Sequence, residues 1–339
     1  MSSSGKPLPL AISLGDPSGI GPEIIVRAWR QRAEAGLEPF AVVGGGEVLR
    51  AAAKLLAVDC PIAQIGSLSQ ASDVFDSALP VLGDQDGTYH PGAPKTAGAE
   101  LALNSLEQAT KLAVDGMASA VVTAPIAKKL LEEVGFQHPG QTEFLAAACG
   151  LPDNASVMML AGPSLRTVPL TVHCPLADVP GLISTGLIAT RGRIVAAALK
   201  RDFAIENPRI AVTGLNPHAG EDGKFGSEDR AIIAPAVAQL VAEGIAATGP
   251  HPADALFSPH SRSGFDVALC MYHDQALIPV KALDFDQGVN VTFGLPIIRT
   301  SPDHGTAFDI AGRGIADPGA MIAAIRMAGE MAQRRGANA

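Results

Sequence analysis

An α/β fold of about two lobes is predicted by three observations. Strand-like apolar segments alternate with helical ones along the chain, Gly and Pro punctuate their boundaries, and aliphatic residues far outnumber aromatic ones. Hydrophobic residues make up 47% of the sequence and aromatic ones 4%. The core is therefore built of Ala, Val, Ile and Leu, material suited to helices packed on a parallel sheet. With 339 residues, the chain can bury a core without staples and has room for about two lobes of ~150 residues each.

Taken in order, residues 8–14 read as a first strand. GDPSGIGPE follows as a glycine-rich loop, and a helix runs from Glu23 to about Ala35 with Pro22 in its first turn, where a fixed φ and a missing N–H do no harm. PFAVVGGGEVLRAAAKLL gives strand, turn and helix, and Asp59 to Pro94 reads as loop. A helix over Thr96–Asp115 precedes the buried strand ASAVVTAP. Helices are expected near Ala127–Val134 and Thr142–Cys149, with Thr142 as a possible N-cap, and strands at Ser156–Ala161 and Arg166–His173. A helix over Ile183–Lys200 leads to the strand RIAVTG, and Glu228–Glu243 reads as a helix with Asp229 near its positive end. VNVTF and PIIR are strand-like, and a helix over Pro318–Gln333 closes the pattern.

The net charge of −9 and the lack of any Lys/Arg cluster exclude a general nucleic-acid surface. The four cysteines are scattered without a CxxC pair, so neither a zinc ribbon nor a disulfide framework is indicated. No apolar run reaches the ~18 residues of a membrane span, and the first residues lack a signal-peptide pattern. A cytoplasmic protein acting on a small ligand, with no nucleic-acid or membrane partner, is expected.

The densest group of reactive side chains lies between Asp266 and Asp317. His173, His218 and His273 each fall at the carboxyl end of an expected strand or in the loop beyond it, where open α/β sheets place ligands. Neutral imidazole is a common ligand for divalent metals, so the three form a candidate metal site; singly, each reads as a loop or cap residue. Lys281, Asn290 and Arg299 sit among apolar segments and read together as an anion site, with Arg as the bidentate partner and Lys as a point charge. VVGGGEVL lacks the third glycine and the downstream acid of a dinucleotide fingerprint and is read as a plain strand-to-helix junction. GDPSGIGPE and DHGTAFDIAGRGIADP either offer backbone N–H groups to phosphates or form turns.

HGTAFDIAGRGIADP at His304–Pro318 and GDPSGIGPE at Gly15–Glu23 resemble the isocitrate/isopropylmalate dehydrogenase superfamily, which binds NAD without a Rossmann fingerprint. LNPHAGE, MYHDQ, the Lys281/Asn290/Arg299 spacing and RTSPDHGTA narrow the resemblance to the 4-hydroxythreonine-4-phosphate dehydrogenase family of pyridoxal phosphate biosynthesis, from Leu10 to about Met331. The resemblance implies a two-lobed fold with a central mixed sheet flanked by helices and an active site in the interlobe cleft. The lobes would be residues 1–125 with 290–339 on the cofactor side and 126–289 on the metal and dimer side. It implies a homodimer sharing a metal site between subunits, with one divalent cation (Zn, Mg or Co) on His173, His218 and His273. It further implies NAD or NADP near His304, Gly305, Thr306 and Ala307, and a phosphorylated anionic substrate at Gln141, Thr142, Lys281, Asn290 and Arg299.

One departure stands out. The family's GHTE is here Gly140-Gln141-Thr142-Glu143, and glutamine hydrogen-bonds without titrating near neutral pH. It leaves open a relative that oxidises a phosphorylated four-carbon sugar acid or an aromatic cis-dihydrodiol. A metal-dependent hydrolase or lyase is the more distant alternative, since three histidines can activate a water. Either Lys281 or Asp274 is positioned in sequence to take the substrate's hydroxyl proton.

Overall fold

The computed structural model of the chain describes residues 8–337. Twelve strands form in chain order: β1 (Leu10–Ser13), β2 (Phe40–Val43), β3 (Ile62–Ile65), β4 (Leu79–Leu82), β5 (Val121–Thr123), β6 (Val157–Ala161), β7 (Arg166–Thr171), β8 (Ile210–Thr213), β9 (Ala247–His251), β10 (Val267–Tyr272), β11 (Val289–Phe293) and β12 (Arg299–Pro302). The chain divides into two compact units, Met1–Ser156 with Leu295–Ala339, and Val157–Gly294.

In the first unit the strand order is β3-β4-β2-β1-β5-β12, and every pairing is parallel. β1 and β2 are short apolar runs, LAIS and FAVV, buried at every position, as a sheet covered on both faces requires. The helix Thr96–Val114 ties two of them together through Ser105. Its hydroxyl accepts from the Leu14 N–H at 2.8 Å and donates to the Val43 carbonyl at 2.5 Å. That fixes where the chain leaves β1 and enters the glycine-rich loop.

Several expectations differ from the structure here. The stretch Asp59–Pro94, read as loop, contains β3 and β4. Both are four residues long, β3 is only partly buried, and Pro80 interrupts the apolar run of β4, so neither shows a strand's usual pattern. The first helix starts at Gly21 and ends at Arg30, and the turn Arg32–Ala35 continues it to a left-handed Gly36. Residues 126–156, which the sequence reading puts in the metal-side lobe, belong to the first unit. The helices Lys128–Glu133 and Gln141–Ala148 bring Leu131 and Phe144 into a cluster with Phe136 and with Ala99, Ala102 and Leu106 of the long helix. Gly140, in extended backbone, is the N-cap of the second of these helices, and Thr142 lies inside its first turn.

In the second unit the order is β11-β6-β7-β10-β8-β9. β6 runs antiparallel to both β11 and β7, whereas β7, β10, β8 and β9 are mutually parallel. Pairing of β11 with β6 keeps residues 290–294 in this unit, a few residues beyond the expected boundary. PIIR is not a strand; β12 begins at its arginine. The helix Thr185–Phe203 is capped by the Ser184 hydroxyl, which accepts from the Leu187 N–H at 3.1 Å. It approaches the helix Ala234–Ala242 so closely at Gly192 that a Cβ there would lie 2.6 Å from a Leu240 methyl. As expected, Asp229 lies in the first turn of a helix that opens with the π-helical turn Asp229–Ile233 and runs on as Ala234–Ala242, and its side chain is buried. Among the described residues no single helix is long and apolar enough to cross a membrane.

Replacing Ser105 with Ala leaves a buried N–H and a buried carbonyl unpaired. It is expected to lower stability by about 1–3 kcal/mol, read as a lower urea midpoint; an unchanged midpoint would show that the tie is dispensable.

Candidate active site

Parallel pairing places the carboxyl ends of β7, β10 and β8 along one edge of the second unit, and the three candidate histidines follow them. His173 comes two residues after β7, in left-handed backbone at φ 52°, a conformation that non-glycine residues adopt rarely and at a cost. His273 directly follows β10 and opens the helix His273–Asp284. The two rings lie 5.8 Å apart between centroids. With Cys174, Tyr272 and Asp274 they line a pocket of about 270 Å³.

His273 Nδ1 donates to Asp274 Oδ1 at 2.7 Å. This arrangement selects the tautomer whose Nε2 carries the free lone pair, the form a metal requires. Two imidazoles sharing a tetrahedral ion at ~2.0–2.1 Å have ring centres roughly 5–6 Å apart, so the spacing of His173 and His273 suits a divalent cation. His218 does not join them. It sits in the loop after β8 against Phe225, at 6.1 Å between centroids, and no group of three His, Cys, Asp or Glu side chains is assembled among the described residues.

The loop carrying His218 is unusual. His218, Ala219, Glu221 and Asp222 all have positive φ, with Gly220 between them. The buried Asp229 carboxylate anchors it, accepting from Leu215 N–H at 2.9 Å, Asn216 N–H at 3.3 Å and Asn216 Nδ2 at 2.9 Å. Gln275, in the first turn of the His273 helix, donates through Nε2 to the Gly214 carbonyl at 2.8 Å.

Arg299 lies in the first unit, at the start of β12, and is only 4% exposed. Its Nε and Nη2 donate to Thr123 Oγ1 at 3.2 and 2.8 Å, and Nη2 donates to Gln141 Oε1 at 2.7 Å. Burial pulls its basicity down to about 10, against the pull of the Glu143 charge in the other direction. Guanidinium remains charged at working pH, so the shift measures the cost of holding a cation out of water. Gln141 thus contacts Arg299, and Thr142 follows it on the same helix. Lys281 and Asn290 lie in the second unit, on the His273 helix and on β11. Asn290 Oδ1 is buried with no hydrogen-bond partner among the described residues. Thr123 was missed by sequence reasoning. It ends an apolar strand and looks like filler until Arg299, on the neighbouring β12, is seen to donate to its hydroxyl.

The two glycine-rich loops behave differently. In the first, the N–H groups of Asp16, Ser18, Gly19 and Ile20 are bonded to Pro125 O, Asp16 Oδ1, Asp16 O and Thr306 O, so this loop is a turn. In the second, the N–H groups of Gly305, Thr306 and Ala307 have no acceptor among the described residues, and His304 Nε2 is buried without a partner. The first helix holds that second loop from beneath. The Glu23 carboxylate accepts from Gly312 N–H and from the Tyr89 hydroxyl, and Arg27 donates to the carbonyls of Gly314 and Ala316 at 2.6 and 3.0 Å. Unsatisfied backbone donors on a fastened loop suit a pyrophosphate.

These features meet known proteins over most of the chain. Residues 37–328 match the family described as pyridoxal phosphate biosynthetic protein PdxA. A 4-hydroxythreonine-4-phosphate dehydrogenase of Erythrobacter litoralis is 74% identical over 96% of this chain and 97% of its own length. The crystal structure of the enzyme of that name from Klebsiella pneumoniae shares 38% identity with a TM-score of 0.85, covering 98% of this chain and all of that one. A terephthalate 1,2-cis-dihydrodiol dehydrogenase from Burkholderia xenovorans is more distant, at 30% identity and a TM-score of 0.65 over 95% of this chain and 98% of its own. With a matched stretch of that length and identity of that order, the chain belongs to the PdxA family of 4-hydroxythreonine-4-phosphate dehydrogenases.

Proposed function

We propose that this oxidoreductase oxidises 4-phosphohydroxy-L-threonine to 2-amino-3-oxo-4-phosphooxybutanoate with NAD and a divalent metal. The product then loses CO2 to give 3-amino-2-oxopropyl phosphate, a step in pyridoxal 5'-phosphate biosynthesis. The observation that carries the reading is the imidazole pair at 5.8 Å with Asp274 on one ring, in a chain 74% identical to a relative of that name.

When bound, the metal ion polarises the substrate hydroxyl as a Lewis acid and the nicotinamide ring accepts a hydride. His173 and His273 hold the ion, and Asp274 keeps the His273 tautomer correct. Because the Asp274 carboxylate is engaged with His273, Lys281 is the better acceptor for the hydroxyl proton. The C–H bond leaves with its electron pair as hydride, the O–H proton goes to Lys281, and a β-keto acid results. Arg299, with Gln141 and Thr142, binds an anionic group of the substrate, and Asn290 binds a polar one. Gly305, Thr306 and Ala307 offer N–H groups to the nucleotide, beside His304. NADP in place of NAD, and zinc, magnesium or cobalt as the metal, fall within the same reading, with imidazole donors suiting zinc and cobalt better than magnesium.

The third imidazole comes, in this reading, from His218 of a second copy. In support, Leu176, Ile278 and Phe285 of the second unit are 66%, 63% and 72% exposed, apolar surface suited to a homodimer. The four unpaired cysteines suit a reducing cytoplasm. Oxidation of an aromatic dihydrodiol is the second reading, supported by the Burkholderia xenovorans relative.

Reduction of NAD is expected with the phosphorylated threonine analogue and to stop with chelator. Turnover of a phosphorylated threonate or a dihydrodiol in its place would reassign the substrate, and metal-dependent turnover without nicotinamide would point to a hydrolase or lyase. Arg299→Ala is expected to raise KM roughly ten- to a hundredfold, the worth of a charged hydrogen bond, with a smaller change in kcat. Asp274→Asn should weaken Zn2+ binding to chelator-treated protein by about 10–100-fold in calorimetric titration; wild-type affinity would remove Asp274 from its role.

A further inference from the structure

Gln275 makes three hydrogen bonds through its side-chain amide. Its Oε1 accepts from the Met271 N–H at 2.7 Å and from the Thr213 hydroxyl at 2.7 Å, and its Nε2 donates to the Gly214 carbonyl at 2.8 Å. The Met271 N–H cannot accept and the Gly214 carbonyl cannot donate, so the network admits one orientation of the amide. Met271 belongs to β10, Thr213 ends β8, and Gly214 begins the loop that carries His218. One side chain, in the first turn of the helix opened by His273, therefore grips the root of the His218 loop.

Besides Asp229, the Gly214 N–H donates to the His251 carbonyl at 2.8 Å, and within the loop the N–H groups of Ala219, Lys224 and Phe225 donate to the carbonyls of Asn216, Glu221 and Gly220. Left-handed backbone is unfavourable for residues with a Cβ, and four such residues occur between His218 and Asp222. Such a run persists only where its ends are held. Asp229, 2% exposed, fixes Leu215 and Asn216 from one side, and Gln275 fixes Gly214 from the other. Room is also short, since a Cβ on Gly214 would lie 2.6 Å from Asp229 Oδ1 and 2.8 Å from Ala219 Cα.

We propose that Gln275 is a positioning residue for the shared metal sites: it locks the loop bearing His218, which serves one site, to the helix bearing His273, which serves the other, so that the two ligand-bearing segments move as one piece. The inference rests on the metal reading given above. Gln275 itself touches neither ion nor substrate.

Gln275→Glu separates this role from general support. The new carboxylate keeps both accepting contacts, to Met271 and Thr213, but sets an oxygen against the Gly214 carbonyl where an N–H stood. Chelator-treated protein is titrated with Co2+ alone and followed by the visible ligand-field absorption of the bound ion, with metal-free melting measured alongside. The expected result is Co2+ affinity about 10–100-fold weaker and an altered band shape, with metal-free melting close to wild type. Co2+ binding by the variant with wild-type affinity and spectrum would overturn the proposal. If the variant does not fold, Asp229→Asn, which disturbs the other anchor of the same loop, decides; wild-type Co2+ affinity there overturns it equally. A wild-type protein that takes up no Co2+ refutes the metal reading itself, an outcome distinct from either.

Discussion

Parallel strand pairing is the constraint on which the candidate site depends. Strands that run the same way end along the same edge, and the loops that leave them are forced into proximity however far apart they are in sequence. β7, β10 and β8 pair in this manner, which brings residues 173, 214–222 and 273 to one edge of the second unit. In the first unit the same rule puts the loop after β1 near the loop after β12, where the Ile20 N–H meets the Thr306 carbonyl. The antiparallel strands β6 and β11 contribute Asn290 from within a strand.

Much of this was legible in the sequence. Buried runs such as FAVV and VALCMY announce parallel strands, and the glycines after them announce turns. The histidines were found because each follows such a run. What failed were short or disguised elements: β3 and β4 carry too few residues, and one proline too many, to show a period. Side-chain pairing across units of sequence was the harder loss. Nothing near Thr123 or Gln275 hints that the first meets Arg299 or that the second meets Gly214. The position of Asp229 was read correctly and its role was not, because a carboxylate near a helix start looks the same from sequence whether it faces the dipole or the loop before it.

The site invests in fixing backbone before any ligand arrives. The His173 and His218 segments adopt conformations that isolated chains avoid, each directly after a strand end, and the second is also held by the buried Asp229 carboxylate. The loop from His304 is fastened likewise, by Glu23 and Arg27 on one helix turn and the next. Rigidity of this kind lowers the ordering cost at the moment of binding and places it in the folding of the chain.

Arg299 carries a different consequence. Its oxygen partners include the uncharged Thr123 and Gln141, and the Glu143 charge acts on it as well. Such a site reads charge before shape. In the function proposed above, inorganic phosphate and small dicarboxylates would compete with the substrate there, and the discrimination between them would fall to the remainder of the molecule being bound.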